Sequence, residues 1–523
     1  MKPPCDELVV KSGSATAPCE EAAEPWILAA TILGSSMAFV DSTVVNVALP
    51  AIQNSLGGTV TDMQWVVEAY GLLLSALILT GGALGDVFGR KRMFLFGVIV
   101  FAAASVACGL AANIRELVIA RAVQGFGAAF LVPGSLSIIS ASFPESRRGR
   151  AIGTWSGFTA ITAAAGPVVG GWFIENASWR WAFFLNVPLA LAVIVLSVWR
   201  VPESKAENES HVDWIGALLV TAGLTGVTYG FIESASQGWT KAPVWSASVL
   251  GVACLIAFAY FEAHASFPMV PFRLFRSSDF TGANLLTFFL YAALGIFFFL
   301  FPLDLIEVQH YSATATGAAA LPFILLVFLL SRWSGGLVAR FGAKRPLIIG
   351  PLVAALGFLC FMYPSVGGNY WTTFFPGFIV LGLGMAVSVA PLTTVVMDST
   401  DQNLAGTASG INNAVSRVAG LLAVAVLGMV MVHQFGQYLN GSIAALGLPA
   451  DVARVVRSNE LRLGALGVPA GLDAITSAKL EASINLAFVF GFRLIMLICA
   501  VLSVVSSAFA WWMIGSHTNP PKS

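Results

Sequence analysis

The dominant pattern in the sequence is a series of long apolar runs separated by short polar or Pro- and Gly-rich breaks. A helix of about 20 apolar residues crosses the hydrocarbon core of a bilayer, which is about 30 Å thick. The runs therefore predict an all-α integral membrane protein with fourteen spans in groups of six, two and six. The predicted spans lie near residues 26–50, 63–83, 93–112, 115–140, 150–174, 180–199, 213–233, 243–262, 280–306, 315–337, 345–364, 371–397, 405–433 and 486–513.

The breaks between the runs also predict how the chain is organised into segments. These segments are a cytoplasmic tail at 1–24, a six-helix half at 25–200, two additional helices at 201–265, a second six-helix half at 266–515 with an extracytoplasmic loop at 434–485, and a cytoplasmic tail at 516–523. The long loop mixes Arg and Lys with Leu, Ala and Val, which is typical of short amphipathic helices.

Basic residues in the short loops indicate the orientation, because cytoplasmic loops of membrane proteins are enriched in Lys and Arg. One side collects clusters such as Arg90–Arg92 and Arg147–Arg150, whereas the other short loops hold only Arg115, Arg180 and Lys241. Both termini are therefore expected in the cytoplasm, and an even number of spans agrees with this orientation.

Composition supports the membrane class and excludes several others. The chain is 57% hydrophobic and 10% charged, whereas soluble domains carry about 25% charged residues. The 27 Lys and Arg residues balance the 27 Asp and Glu residues, so nothing indicates a nucleic-acid partner. The six cysteines are not spaced as metal ligands, and no phosphate-binding loop or nucleophile elbow is present in the sequence. We therefore expect neither a metal site, nor an ATP-driven pump, nor an enzyme.

One motif occurs twice at a constant offset. It reads G-A-L-G-D-V-F-G-R-K-R from Gly82 to Arg92 and G-G-L-V-A-R-F-G-A-K-R from Gly335 to Arg345. Small residues before a basic turn suit two helices that lie close together at the cytoplasmic face. The repeat predicts two similar halves, a common construction in transporters. Ala339 replaces Asp86 in the second copy, so a switch built on this carboxylate is complete only in the first half.

Span 5 combines small residues with a proline. Two small-xxx-small pairs, Gly153 with Gly157 and Gly166 with Gly170, allow a neighbouring helix to approach closely. Pro167 lacks an N–H group and bends the helix near Ala163. Gly157, Gly166, Pro167, Gly170 and Gly171 therefore form a candidate hinge. The alternative interpretation is tight packing without a hinge.

Span 1 contains a carboxylate, Asp41, within an apolar helix, where charge is costly and a functional role is the default. At a rise of 1.5 Å per residue, Asp41 lies roughly 22 Å above the cytoplasmic end of its span, and Arg121 in span 4 roughly 9 Å below the outer end of its own. These depths add up to about one membrane thickness, so the two side chains are expected to face each other.

An acid and a base at the same depth form a candidate proton switch. Burial favours the neutral carboxyl group and a nearby guanidinium favours the carboxylate, so a change of solvent access can shift protonation. The alternative is a static ion pair that fixes spans 1 and 4 together. Glu68 in span 2 lies near the same depth, where it either shares the site or faces outer water.

Aromatic and polar residues within the spans are candidates for a substrate cavity, because aromatic faces attract cations. The alternative for each is contact with lipid or with another helix. Asp304 near the outer end of span 9 is either a second acidic site or a carboxylate facing an outer vestibule. The candidates are Gln124, Phe126, Trp155, Phe158, Tyr291, Phe297 and Asp304.

Several motifs closely resemble those of the major facilitator superfamily, in its fourteen-span drug/proton antiporter branch of EmrB/QacA-like exporters. The resemblance covers almost the whole chain and includes the loop from Gly82 to Arg92 and the span-5 motif from Gly153 to Trp172. The other motifs are D-S-T-V-V-N-V-A-L-P at Asp41, R-A-V-Q-G at Arg121, F-P-E-S-R-R-G-R-A at Phe143, W-R-W-A-F-F-L-N-V-P at Trp179, V-D-W-I-G at Val212, P-M-V-P-F-R-L-F-R at Pro268 and A-G-T-A-S-G-I-N-N-A at Ala405.

The resemblance implies roles for particular residues. Asp41 and Arg121 would take part in proton coupling, with Glu68 as a further candidate. Asp86 with Arg90 and Arg92 would form a cytoplasmic latch. The candidate gating loop comprises Gly82, Asp86, Gly89, Arg90 and Arg92.

The combined expectation is an inner-membrane antiporter that exchanges protons for hydrophobic or cationic drugs as two six-helix halves rock. A proton gradient would supply the energy without a cofactor. The expected partners are an amphipathic small molecule, protons and membrane lipid, while a periplasmic adaptor and an outer-membrane channel stay open. One alternative is a dedicated exporter of a self-made metabolite, lipid or siderophore. Another is a membrane receptor or scaffold that does not transport.

Overall fold

A computed structural model describes residues 23–205, 212–400 and 405–515, and this part of the chain contains helices and turns but no strand. Residues 1–22 and 516–523, which include most of both predicted tails, lie outside it. The long helices in the described part are α1 (Glu24–Leu56), α2 (Val60–Phe88), α3 (Arg90–Leu110), α4 (Ile114–Ser142), α5 (Glu145–Asn176), α6 (Trp181–Arg200), α7 (Trp214–Gln237), α8 (Ala242–His264), α9 (Ser278–Val308), α10 (Leu321–Phe341), α11 (Lys344–Cys360), α12 (Phe375–Asp398), α13 (Ala405–Leu446) and α14 (Ala474–Met513).

Every predicted span overlaps one of these helices, and span 315–337 begins on a separate short helix, Ala313–Ala319. The predicted all-α membrane fold is confirmed. Within the described residues, 13 helices are long and apolar enough to cross a membrane. The remaining helix, α11, has 17 residues, which is the lower limit for a span.

Two helices continue into the predicted extracytoplasmic loop at 434–485, and its place outside the membrane stays a prediction. α13 has 42 residues and continues to Leu446, and α14 begins at Ala474. At 1.5 Å per residue α13 is about 60 Å long, twice the thickness of the hydrocarbon core. Hydropathy indicates where apolar sequence ends, but a helix continues as long as its backbone hydrogen bonds and packing support it. Between α13 and α14 lie a short helix, Ala450–Ser458, and a 3₁₀ turn, Glu460–Ala465.

Asp473 defines the start of α14. Its side chain accepts hydrogen bonds from the backbone N–H groups of Ile475 and Thr476, both at 3.0 Å. Hydrogen bonds from Thr476 lower the pKa of this carboxyl group. An aspartate at this position satisfies N–H groups that have no partner within the helix.

The described part of the chain divides into two compact units. The first unit comprises the chain up to Val45, Val66–Thr225 and Leu250–Pro271. The second unit comprises Asn46–Trp65, Gly226–Val249 and the chain from Phe272 onward. The hairpin of α7 and α8 is therefore divided between them. The six, two and six segments stay a prediction.

The second unit has a core of phenylalanine rings. Helix α9 packs against α13 and α14, and α12 packs against α10 and α11. Phe297 of α9 lies 4.7 Å from the ring of Phe361 and 5.9 Å from that of Phe378, measured between ring centroids. Such edge-to-face and tilted pairs stabilise the contact beyond simple burial of area.

In the first unit, glycines bring the backbones of neighbouring helices together. A Cβ atom on Gly97 of α3 would lie 2.6 Å from Phe130 of α4. A Cβ atom on Gly125 of α4 would collide with the backbone of Tyr70 of α2. Close backbone approach at small residues is typical of helix packing in membranes.

Helices α1 and α5 are in close contact at the second glycine pair of span 5. A Cβ atom on Gly166 would lie 2.5 Å from Thr43 Oγ1 of α1, and one on Gly170 would collide with Val44. Thr43 Oγ1 also lies 3.3 Å from the Ala163 carbonyl oxygen, which Pro167 leaves without its usual helical donor.

Other glycines of the span-5 motif have different surroundings. A Cβ atom on Gly153 would meet no heavy atom within 4 Å, so the predicted close contact at Gly153 is wrong. Gly157 is half-buried, and Gly171 is buried. The packing contact with α1 therefore lies in the C-terminal part of α5, beside the proline.

Replacing Gly170 by leucine is expected to lower the thermal stability of the detergent-solubilised chain, because the new side chain would force α1 and α5 apart. Overpacking of this kind costs about 1–3 kcal/mol. Gly153→Leu is the matched control, since that position is open. The temperature at which half of the protein stays monodisperse measures the effect. Equal midpoints for the two variants would contradict a packing role for Gly170.

Candidate functional site

Asp41 of α1 is the centre of a buried polar cluster in the first unit, and its side chain is 0% exposed. Arg121 Nη1 donates to Asp41 Oδ2 at 2.5 Å. Gln124 Nε2 and Asn186 Nδ2 donate to Asp41 Oδ1 at 2.7 Å and 3.2 Å. Donors from α4 and α6 therefore surround one carboxylate of α1, which offsets part of the cost of burying its charge.

Arg121 makes further contacts that hold its guanidinium in place. Its Nε donates to the Val66 carbonyl oxygen at 3.0 Å, and its Nη1 donates to Gln124 Oε1 at 2.7 Å. The guanidinium carbon lies 4.2 Å from the centroid of the Tyr70 ring. A backbone acceptor and an aromatic face, both from α2, therefore stabilise the cation.

Ser105 of α3 joins the two amide side chains behind the carboxylate. Its hydroxyl accepts from Gln124 Nε2 at 3.2 Å and from Asn186 Nδ2 at 3.0 Å. The same hydroxyl donates to the Phe183 carbonyl oxygen at 2.8 Å. These bonds orient both amides so that their N–H groups face Asp41.

The predicted meeting of Asp41 and Arg121 is confirmed, whereas their role in proton coupling stays a prediction. Gln124 was expected in a substrate cavity, but it is completely buried in the acid-base cluster. The sequence did not lead us to predict Asn186 and Ser105 as members of this cluster. Asn186 belongs to the motif that begins at Trp179, which is a usable signal, while Ser105 resembles the other small residues of α3.

Glu68 of α2 forms no described hydrogen bond with this cluster. The side chain is 2% exposed, and its Oε2 atom has no hydrogen-bond partner in the described part of the chain. The side chain of Glu68 therefore does not face outer water in this conformation. A buried carboxyl oxygen without a donor is costly when charged.

The predicted gating loop is built around two separate ion pairs. Arg90 Nε lies 2.8 Å from Asp86 Oδ1, as the family resemblance implies. Arg92 pairs with Glu203, at 3.6 Å between Nε and Oε2, and the latch role of Asp86, Arg90 and Arg92 stays a prediction. A Cβ atom on Gly82 would lie at ordinary contact distance, 3.5 Å, from Pro133.

Glu203 follows α6 and accepts hydrogen bonds at the start of α3. The backbone N–H groups of Lys91 and Arg92 donate to its two oxygens at 3.1 Å and 3.2 Å. Gly89 precedes them with φ 111°, and a Cβ atom there would lie 2.7 Å from Glu203 Oε1. Gly342 occupies the matching place in the second copy with φ 72°. Both copies of the repeat therefore turn at a left-handed glycine.

The candidate cavity residues do not share one surface. Phe297 is completely buried among other phenylalanine rings, so it belongs to a packed core and not to a cavity wall. Phe158 is 53% exposed. Trp155 is buried and donates to Ser35 Oγ at 3.2 Å, which joins α5 to α1. Phe126 is half-buried and packs edge-to-face on Phe130.

The two candidates of the second unit, Tyr291 and Asp304, also lie in different settings. Tyr291 is half-buried on α9. Asp304 is 2% exposed in a π-helical turn at the end of α9, and Gln309 Nε2 lies 3.5 Å from its Oδ1. No group of three or more His, Cys, Asp or Glu side chains that could hold a metal ion occurs in the described residues.

The chain matches the sequence profile of the Major Facilitator Superfamily over residues 31–424. The match covers most of the sequence, so the chain belongs to the Major Facilitator Superfamily. It is a multi-pass membrane transporter of small molecules and not an enzyme.

Characterised relatives share about a third of their residues with this chain. The tetracenomycin C resistance and export protein of Streptomyces glaucescens is 30% identical over 492 residues, 93% of this chain and 91% of that protein. The multidrug resistance protein Stp of Mycobacterium tuberculosis is 35% identical over 409 residues, 77% of this chain and 75% of that protein. The methylenomycin A resistance protein of Bacillus subtilis is 31% identical and covers 81% of this chain and 91% of that protein.

Solved structures support the fold independently. A bacterial homologue of the human lysosomal transporter Spinster, in an inward-facing and unoccupied conformation, superposes with a TM-score of 0.65. The alignment covers 94% of this chain and 97% of that one at 19% identity. A likeness at this identity concerns the fold alone.

Glu203→Gln is expected to loosen the start of α3, because a neutral amide holds the helix N-terminus and Arg92 less strongly than a carboxylate does. A charge at a helix terminus contributes about 0.3–1 kcal/mol. Hydrogen exchange followed by mass spectrometry should show faster exchange in the peptide that contains Lys91 and Arg92. Glu481→Gln, at an exposed position of α14, is the control. Identical exchange in both variants would contradict the capping role.

Proposed function

We propose that this chain is a proton-coupled antiporter that exports hydrophobic or cationic drugs by alternating access. The observation that carries the proposal is the buried Asp41–Arg121 pair, with its amide donors, inside a membrane-spanning bundle. The relatives named for drug resistance and export support the class of substrate. The proton gradient supplies the energy, and no cofactor is needed.

The cluster suits reversible protonation of Asp41, because its hydrogen-bond partners differ in how strongly they favour the charged form of the carboxyl group. The charge of Arg121 favours the carboxylate form of Asp41, whereas the neutral amides of Gln124 and Asn186 can bond to either form. A proton on Asp41 would release Arg121 from its ion pair. Protonation of Asp41 is then linked to a rearrangement between α1 and α4. An antiporter needs such a link between proton binding and conformational change.

The span-5 contact supports the proposed hinge. Gly166 and Gly170 lie against α1, the helix that carries Asp41, and Pro167 leaves the Ala163 carbonyl oxygen to Thr43. Movement of α5 relative to α1 would exchange side-chain hydrogen bonds between the two helices, this hydroxyl contact among them, without breaking a regular helical bond. The proposal therefore links the acid-base pair to α5 through α1.

We further propose that the protein lies in the inner membrane with both termini in the cytoplasm. The support is the excess of Lys and Arg in the loops on one side. In this orientation the Asp86–Arg90 pair and the Arg92–Glu203 pair lie at the cytoplasmic face. They would act as a latch that breaks and reforms with each transport cycle.

Asp41→Asn is expected to abolish proton-driven transport while leaving folded protein in the membrane. The asparagine keeps the shape of the side chain and cannot take up a proton. Ethidium export from inverted vesicles or proteoliposomes under an imposed pH gradient measures the effect. The control is Asp62→Asn, because Asp62 lies in the first turn of α2 and, among the described residues, forms its hydrogen bonds with the adjacent Thr59.

Two results of this experiment would overturn the proposal. Unchanged ethidium movement in Asp41→Asn would exclude Asp41 from coupling. Loss of folded protein in Asp41→Asn that Asp41→Glu restores without restoring transport would favour the static ion pair, because removal of one partner from a buried pair costs about 3–5 kcal/mol.

Glu68 is proposed as a second protonatable position of the same unit, on the strength of its buried and unpartnered Oε2 atom. Glu68→Gln is expected to fold normally and to release fewer protons when ethidium is added to detergent-solubilised protein. Glu68→Asp should restore the release. Proton release in Glu68→Gln equal to that of the wild type would remove Glu68 from the coupling mechanism.

Relatives named for single compounds support one alternative, a dedicated exporter. They include the tetracenomycin C protein and a probable actinorhodin transporter of Streptomyces coelicolor. A panel of fluorescent cations and antibiotics in inverted vesicles separates the two functions. Export of several unrelated compounds is expected, and export of none of the panel would contradict the multidrug proposal.

A further inference from the structure

A pair of carboxyl side chains in the first unit forms none of the described hydrogen bonds of the Asp41 cluster. Asp213 directly precedes α7, and Glu262 lies near the end of α8. Both are carboxyl groups, so this pair lacks the opposite charge that Arg121 supplies to Asp41.

Asp213 uses one oxygen to begin α7. The backbone N–H of Gly216 donates to Asp213 Oδ1 at 2.8 Å, which is the arrangement of a helix N-cap. The other oxygen, Oδ2, is buried and has no hydrogen-bond partner in the described part of the chain.

Glu262 is 2% exposed, on a helix whose neighbouring Tyr260 is 70% exposed. Its Oε2 atom accepts from the backbone N–H of Val270 at 3.0 Å. Its Oε1 atom is buried, and none of the described residues donates to it. A nearly complete burial of one carboxyl group on an otherwise exposed helix indicates a specific partner.

The two unpartnered oxygens converge on the same point. A Cβ atom on Gly216 would lie 2.8 Å from Glu262 Oε1 and would collide with Asp213 Oδ2. A side chain at this position would therefore displace one or both of these carboxyl groups. Asp213 is the charged side chain that faces Glu262, and the Met269–Val270 turn adds only backbone N–H groups.

We infer that Asp213 and Glu262 bind one proton between them, as a hydrogen bond from one neutral carboxyl group to the other carboxylate. Two carboxylates in contact cannot both be ionised without strong repulsion, and a shared proton removes it. The shared proton also gives both unpartnered oxygens a hydrogen bond. It fastens the start of α7 to the end of α8.

A metal ion fits these groups poorly. Each carboxyl group has one oxygen occupied by a backbone N–H, so two oxygens are left to face a cation. Calcium takes six to eight oxygen ligands, and magnesium needs octahedral geometry. The described residues provide no third acidic, histidine or cysteine ligand here.

The pair predicts a particular dependence on pH. Because the folded pair holds its proton more tightly than separate side chains would, its contribution to stability is present at low pH and disappears as pH rises. The site binds a proton whether or not Asp41 couples transport, and so it does not rest on the proposed function.

Infrared difference spectroscopy of the full-length protein in detergent tests the shared proton. The wild type is expected to show a protonated-carboxyl band that disappears on raising the pH, and Glu262→Gln and Asp213→Asn should each lack it. Glu116→Gln, an exposed position, is the matched control and should keep the band. Persistence of every titrating carboxyl band in Glu262→Gln would overturn the inference.

Thermal stability gives a second measurement. In Glu262→Gln the amide N–H can replace the shared proton, so this variant should fold, and its melting temperature should fall less on raising the pH than that of the wild type. An equal fall in both would contradict the proposal. Stabilisation of the wild type but not of Glu262→Gln by calcium or magnesium chloride would also overturn it, in favour of a metal site.

Discussion

The ion pair between Asp41 and Arg121 is the interaction on which the arrangement of the first unit depends. A carboxylate and a guanidinium inside a membrane protein are costly unless each is paired and hydrogen-bonded. Here the partners come from four other helices: a side chain of α3, two of α4 and one of α6, and a carbonyl oxygen of α2. The packing of these helices and the geometry of the cluster therefore depend on each other, because displacement of any helix would leave a buried polar group without a partner.

Small residues make this arrangement sterically possible. The segment R-A-V-Q-G directs Arg121 and Gln124 toward α1 and places Gly125 directly against the backbone of α2. The same close approach brings Arg121 Nε within 3.0 Å of the Val66 carbonyl oxygen. Gly166 and Gly170 of α5 likewise allow a close approach to α1, at Thr43 and Val44. Charge neutralisation and glycine packing thus act on the same helices.

The first unit contains two different solutions for a buried acid. Asp41 has a guanidinium and two amides, while Asp213 and Glu262 have backbone N–H groups and each other. The second arrangement could not be predicted from the sequence. Glu262 ends an apolar run in the manner of a residue that reaches the membrane surface, and only the return of the chain at Val270 and the start of α7 enclose it.

The sequence by itself determined the positions of the long helices, the repeated loop and the meeting of Asp41 with Arg121. These follow from the length of apolar runs and from a rise per residue that backbone hydrogen bonds hold constant. Only the tertiary structure decided that Asn186 and Ser105 complete the cluster, that Glu203 pairs with Arg92, and that Phe297 lies in a packed core. The rotation of a helix about its axis and the identity of its neighbours depend on packing between segments far apart in the chain, which the local pattern of one segment does not contain.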